Sequence, residues 1–181
     1  EVLKTQVEDM AKASGVPDSA RKINNRITER MYELILTCSD QKYVLDSLTV
    51  YIRQSEQVVQ PEFSIDVDDP LLKATARWML SPWMQYFLRY DPAPTLRKVT
   101  CPVLALNGTK DMQVAAQSNL SAIRKALEEG GNTDVTVREL PGLNHLFQEC
   151  TTGAFDEYAT IEQTFAPSAL EIIVAWIKER K

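Results

Sequence analysis

The chain has 181 residues, 44% of them apolar and 25% charged, with a formal net charge of -5. That balance describes a packed globular chain with room for one core, or one core plus a satellite layer, and excludes disordered and fibrous classes. Its basic residues are scattered, unlike the clustered Lys/Arg footprint of a nucleic-acid binder, and no run approaches the roughly 20 apolar residues that span a bilayer.

The first 91 residues read as helices. Val7, Met10 and Ala11 share a face, and Gly15-Val16-Pro17 ends that segment. Ile23, Ile27, Met31, Leu34 and Ile35 then recur at the three- and four-residue spacings of an amphipathic helix. The pattern continues from about 42 to 59 through Leu45, Leu48, Ile52 and Val59, and Pro61 stops it. Asp69-Pro70 and Ser81-Pro82 each place a capping side chain before a proline, a signature of helix starts. Asp66, Asp68 and Asp69 lack the glycine and terminal glutamate of a calcium loop and read as a solvated turn. Asp91-Pro92-Ala93-Pro94 forbids helix continuation, because a residue before proline is pushed out of helical geometry. The boundary falls there, with a helical part over 1–91 and an α/β part over 92–181.

Beyond it the period changes. Cys101–Leu106 is a short continuous apolar run, the pattern of a strand covered on both faces, with Gly108 as its punctuation. A helix follows over about 113–129, with Leu120, Ile123 and Leu127 inward and Gly130-Gly131 closing it. Asp134–Leu140 alternates as a second strand, and a last helix over Pro167–Arg180 carries Leu170, Ile173, Val174 and Ile177 on one face. Strand, helix, strand, helix is the order of a parallel sheet with crossovers. Two strands alone leave their edges open, so the rest of the sheet is expected either upstream in the same polypeptide or from a second copy. An opening residue of Glu1 rather than Met favours the upstream segment.

Cys38, Cys101 and Cys150 are odd in number and widely spaced, which fits neither a disulfide framework nor a zinc site, and they read as buried free thiols. His145 is the only histidine, which excludes a multi-histidine metal site, and nothing implies a cofactor. In open parallel sheets, reactive groups gather beyond the carboxyl ends of the strands. Asp111 follows the first predicted strand and His145 the second, and parallel neighbours lie about 4.8 Å apart, so the two loops can bring them together. A carboxylate so placed accepts a hydrogen bond from the imidazole Nδ1–H, which fixes the tautomer and leaves the other nitrogen to serve a nucleophile.

The segments PVLALNGTKDMQV and ELPGLNHLFQ resemble the acid and histidine segments of the alpha/beta-hydrolase fold, in particular of dienelactone-hydrolase-like and serine-aminopeptidase-like bacterial esterases. SPWMQYFLRYDPAPTLRKVTCPVLALNG is similar to the stretch in which those enzymes return from a helical cap to the sheet. The resemblance covers about residues 75 to 181, and residues 1 to 75 look like the variable cap. It implies an α/β fold built of the last two parallel strands and their helices, with Asp111 as triad acid, His145 as general base and a small-molecule ester as substrate. Gln113 and Phe147 match flanking positions with capping and packing roles. Trp83 and Phe87, with Trp78 and Tyr86 nearby, are candidate substrate-binding residues beneath a cap or, equally, core. The family's Gly-x-Ser-x-Gly elbow is missing, since none of the six glycines brackets a serine in that spacing. Cys101 and Cys150 stand in the wrong places to replace it, so the nucleophile and oxyanion hole belong upstream. Two other readings remain: a serine peptidase acting on short peptides, and a non-catalytic binding or self-assembly module with hydrolase architecture.

Overall fold

The computed structural model describes residues 7–8, 10–12, 15–38, 40–56 and 70–180. Val59, Pro61 and the acidic turn at Asp66, Asp68 and Asp69 lie outside them. The chain divides into two compact units, Val16–Tyr90 and Glu1–Gly15 with Asp91–Lys181.

The first unit is helical. Helix α1 spans Asp18–Thr37, α2 Gln41–Glu56, α3 Pro70–Met79 and α4 Pro82–Arg89. Asp18 pairs with Arg21 in the first turn of α1, and the Arg21 guanidinium also donates to Val16 O at 2.8 Å, tying down the entry. The Asp40 carboxylate accepts the amides of Lys42 and Tyr43 at 2.9 and 3.1 Å where α2 begins. Ser81 Oγ accepts Met84 N at 3.3 Å, so the Ser-Pro signal does start α4. Leu34, Ile35, Val44, Leu48, Ile52, Met79, Leu80 and Met84 form the buried core of this unit. Trp83 and Phe87 stay outside it, 62% and 50% exposed, with rings stacked at 5.5 Å. The core reading of that pair does not hold, because the inward face of α4 is taken by Met84.

The second unit contains a short helix α5 (Ala93–Leu96), strand β1 (Val103–Gly108), helix α6 (Ala116–Glu129), strand β2 (Val135–Leu140), a 3-10 turn (Phe155–Ala159) and helix α7 (Pro167–Lys178). The strands pair in parallel, Val103 opposite Val135 through Gly108 opposite Leu140, with α6 as the connection. β1 starts two residues later than the apolar run suggests. Pro102 has no amide to give the ladder, and the first bond is Val103 N to Asp134 O at 2.9 Å. Val103–Leu106 are half-buried rather than covered on both faces, because this sheet has two strands only. Asn132 seals the α6–β2 turn: its amide donates to Val99 O and Cys101 O at 3.0 and 2.9 Å, and its side-chain oxygen accepts Asp134 N at 3.0 Å.

Ala166 and Ala169, both fully buried, let α7 approach closely, and they pack with Leu140, Leu143, Leu106, Phe147, Phe165 and Ile172. Further along, Trp176 Nε1 donates to Thr136 Oγ1 at 3.2 Å, while Arg180 lies over the Trp176 ring and pairs with Asp134. Leu170, Val174 and Ile177 face outward, each about half exposed. All three cysteines are free, but none is buried: Cys101 is exposed at the bend before β1, and Cys38 and Cys150 are half-buried. No helix among the described residues is long and apolar enough to cross a membrane.

Candidate active site

Because β1 and β2 are parallel and in register, their carboxyl ends open at the same edge. Asp111 leaves β1 after a tight turn in which its amide bonds Gly108 O at 3.1 Å. The Asp111 carboxylate accepts four hydrogen bonds. Oδ1 takes the amides of Gln113 and Val114 at 2.9 and 2.8 Å, and Oδ2 takes Asn107 Nδ2 at 2.8 Å and His145 Nδ1 at 2.9 Å. The two backbone bonds also explain why α6 begins at Ala116 rather than near 113: the carboxylate holds 113 and 114 in a turn. The side chain is 5% exposed.

His145 stands 34 positions further along the chain, on the turn after β2. Asn144, wholly buried, shapes that turn. Its side-chain oxygen accepts Leu146 N and Gln148 N at 2.9 and 3.0 Å, and its amide donates to Gln148 Oε1 at 2.9 Å. Gln148 Nε2 continues the chain of bonds to Gln163 O at 2.7 Å. Phe147 carries the strain of this turn at φ 57, which costs about 1–2 kcal/mol for a residue with a Cβ. Its ring stacks on Phe165 at 5.3 Å and its carbonyl accepts Ala166 N at 2.7 Å, so packing holds the strained conformer.

The imidazole is therefore fixed on one side and open on the other. Nδ1 meets an acid that is acceptor-only, which places the shared proton on Nδ1. Nε2 has no hydrogen-bond partner among the described residues, and the His145 side chain is 37% exposed. A ring so held presents a lone pair at the rim of the sheet, ready to accept a proton from a neighbouring group.

Asp111 and His145 thus meet as the strand-end reading expects, and Gln113 serves the acid through its backbone. Asn107, Asn144 and Gln148 are the residues that reading missed. Asn107 directly follows the apolar run in the sequence; the signal available was its place four residues before the acid, at a buried position near the end of the strand. Cys150 is a poor nucleophile here, since burial pushes its thiol up and Sγ donates to Gly142 O at 3.4 Å.

No protein-family model, no curated protein and no solved structure matches the chain.

Proposed function

We propose that the chain is the C-terminal part of a serine hydrolase of the alpha/beta-hydrolase fold, supplying the acid and the histidine of a triad. The observation that carries this reading is the 2.9 Å bond between Asp111 Oδ2 and His145 Nδ1, made at the ends of adjacent parallel strands with no partner on Nε2 among the described residues. In the complete enzyme a serine on an upstream Gly-x-Ser-x-Gly elbow attacks the ester carbonyl while His145 Nε2 takes its proton. His145 then returns that proton to the leaving alcohol, and water releases the acyl group by the same route. Asp111 keeps the tautomer and balances the imidazolium. In sequence order the helical unit corresponds to the family's variable cap, and within that unit Trp83 and Phe87 form an exposed, stacked aromatic pair. Esterases and peptidases share this machinery, so a peptidase on short peptides is the neighbouring activity.

The test compares this chain with the full polypeptide encoded by its gene. The chain alone is expected to stay unlabelled by a fluorophosphonate probe and inert towards a short-chain nitrophenyl ester. The full polypeptide is expected to be labelled on a serine and to turn the ester over. Labelling of the isolated chain, or an inert and unlabelled full polypeptide, removes the proposal.

A second reading, a self-assembly module, draws on the outward apolar face of α7 at Leu170, Val174 and Ile177 and on a sheet of only two strands. Sedimentation separates the two: self-assembly requires a concentration-dependent dimer of the full polypeptide, whereas the hydrolase reading is met by a monomer.

A further inference from the structure

After His145 the chain does not run straight into α7 but turns back over residues 150–159. The Glu157 carboxylate gathers this segment, accepting the amides of Thr151, Thr152 and Gly153 at 2.8, 2.8 and 2.6 Å and the Thr152 hydroxyl at 2.7 Å. With so many donors the carboxyl is held down to about 2, the Thr152 hydroxyl contributing most. The folded pKa is depressed, so this clasp is complete above the ordinary carboxylate range and opens only as pH falls through about 2.

The folded segment is bolted to the loop that carries Asp111. Lys110 Nζ donates to Cys150 O at 3.2 Å and Thr151 O at 2.5 Å. Gln113 Nε2 donates to Tyr158 Oη at 3.2 Å. Gly153, at φ 80, lies so close to Lys110 O that a Cβ there would sit 1.9 Å away. Lys110 and Gln113 stand on either side of Asp111, and both lean on structure that Glu157 holds together.

We propose that Glu157 is a positioning residue for the Asp111–His145 pair. It touches neither side chain. It shapes residues 151–153 into the anchor that receives Lys110, and places Tyr158 for Gln113, which immobilises the Asp111 loop from both ends. The hydrolase reading gives this alignment its use, but the alignment itself can be read directly. His145 is the only histidine, so the isolated chain labelled with 15N gives a single set of imidazole signals. The unsubstituted chain is expected to show one solvent-protected, downfield Nδ1–H resonance.

Glu157→Gln retains shape but can accept only part of the four bonds. It is expected to raise the solvent exchange rate of that Nδ1–H at least tenfold, with the β1 and β2 amide signals unchanged. Lys110→Met, which cuts the anchor from the other side, is expected to do the same and serves if the Glu157 variant fails to fold. Unchanged Nδ1–H exchange in a folded Glu157→Gln or in Lys110→Met, or absence of the resonance from the unsubstituted chain, overturns the proposal. An inactive full polypeptide whose resonance is nonetheless lost on Glu157→Gln would sink the hydrolase reading and leave the positioning role standing.

Discussion

Asp111→Asn in the full polypeptide is expected to lower kcat for a nitrophenyl ester by about 10⁴, or about 5.5 kcal/mol of barrier, with KM little changed. Four donors converge on this carboxylate: two backbone amides, the Asn107 amide and His145 Nδ1–H. An asparagine brings its own NH2 group into that ring of donors. Turned one way it opposes Gln113 N and Val114 N; turned the other it opposes Asn107 and forces His145 to accept at Nδ1. In the second orientation the imidazole proton moves to Nε2, the nitrogen that takes a proton from the nucleophile in the proposed hydrolase. The isolated chain reports the same event without catalysis, as loss of the Nδ1–H resonance. A fall in kcat of less than tenfold, with the serine probe still reacting, would show that Asp111 is only a turn former.

Gly108→Ala is expected to cost about 3 kcal/mol of stability and to separate Asp111 from His145. A Cβ at this position would lie 2.1 Å from Leu143 O, 2.6 Å from Leu143 C and 2.8 Å from Asn144 O. The obstacle is backbone, so no side-chain rotation relieves it. The same seam is closed by Thr109 N to Leu140 O at 2.9 Å and Lys110 N to Leu143 O at 3.0 Å, and both bonds must lengthen if the strands part. Since Leu143 and Asn144 lead directly into His145, the displacement passes to the imidazole. Urea unfolding gives the energy and the Nδ1–H signal gives the separation. A variant with an unchanged midpoint and an intact resonance would mean that the close approach is not a constraint.

Much of the site is legible from the chain. Alone, Asp111 reads as a turn former and His145 as a loop histidine; they stand out as a pair, because each follows one of two successive parallel-type strands and His145 is unique. Their supports are harder to read. Asn107 and Asn144 belong to a residue type that shapes turns almost everywhere and Glu157 to one that is mostly solvated on surfaces, and nothing local distinguishes these roles from fixing a carboxylate or a loop. Three of the four donors on Glu157 are backbone amides, which every sequence offers alike.

The last helix shows the same division. Spacing groups Leu170, Ile173, Val174 and Ile177 on one face, yet Leu170, Val174 and Ile177 are about half exposed, Ile173 is half-buried, and it is Ala169, Ile172 and Trp176 that meet the sheet. Small residues permit the close approach, and a period of 3.6 marks a face without stating what covers it.

By itself the sequence determined the order of the longer helices and the two strands and the end of α4 before Asp91-Pro92, and it singled out Asp111 and His145. Those are local matters of periodicity, proline geometry and side-chain chemistry. It did not foresee the short helix at Ala93–Leu96 or the 3-10 turn at Phe155–Ala159. Tertiary structure alone decided that Val103 lies opposite Val135, that Asn107 and His145 share one oxygen of Asp111, and that Nε2 has no partner among the described residues. Register is set by ladder bonds between residues more than thirty positions apart, and such pairings cost chain entropy that only the assembled sheet, turns and packed α7 can offset.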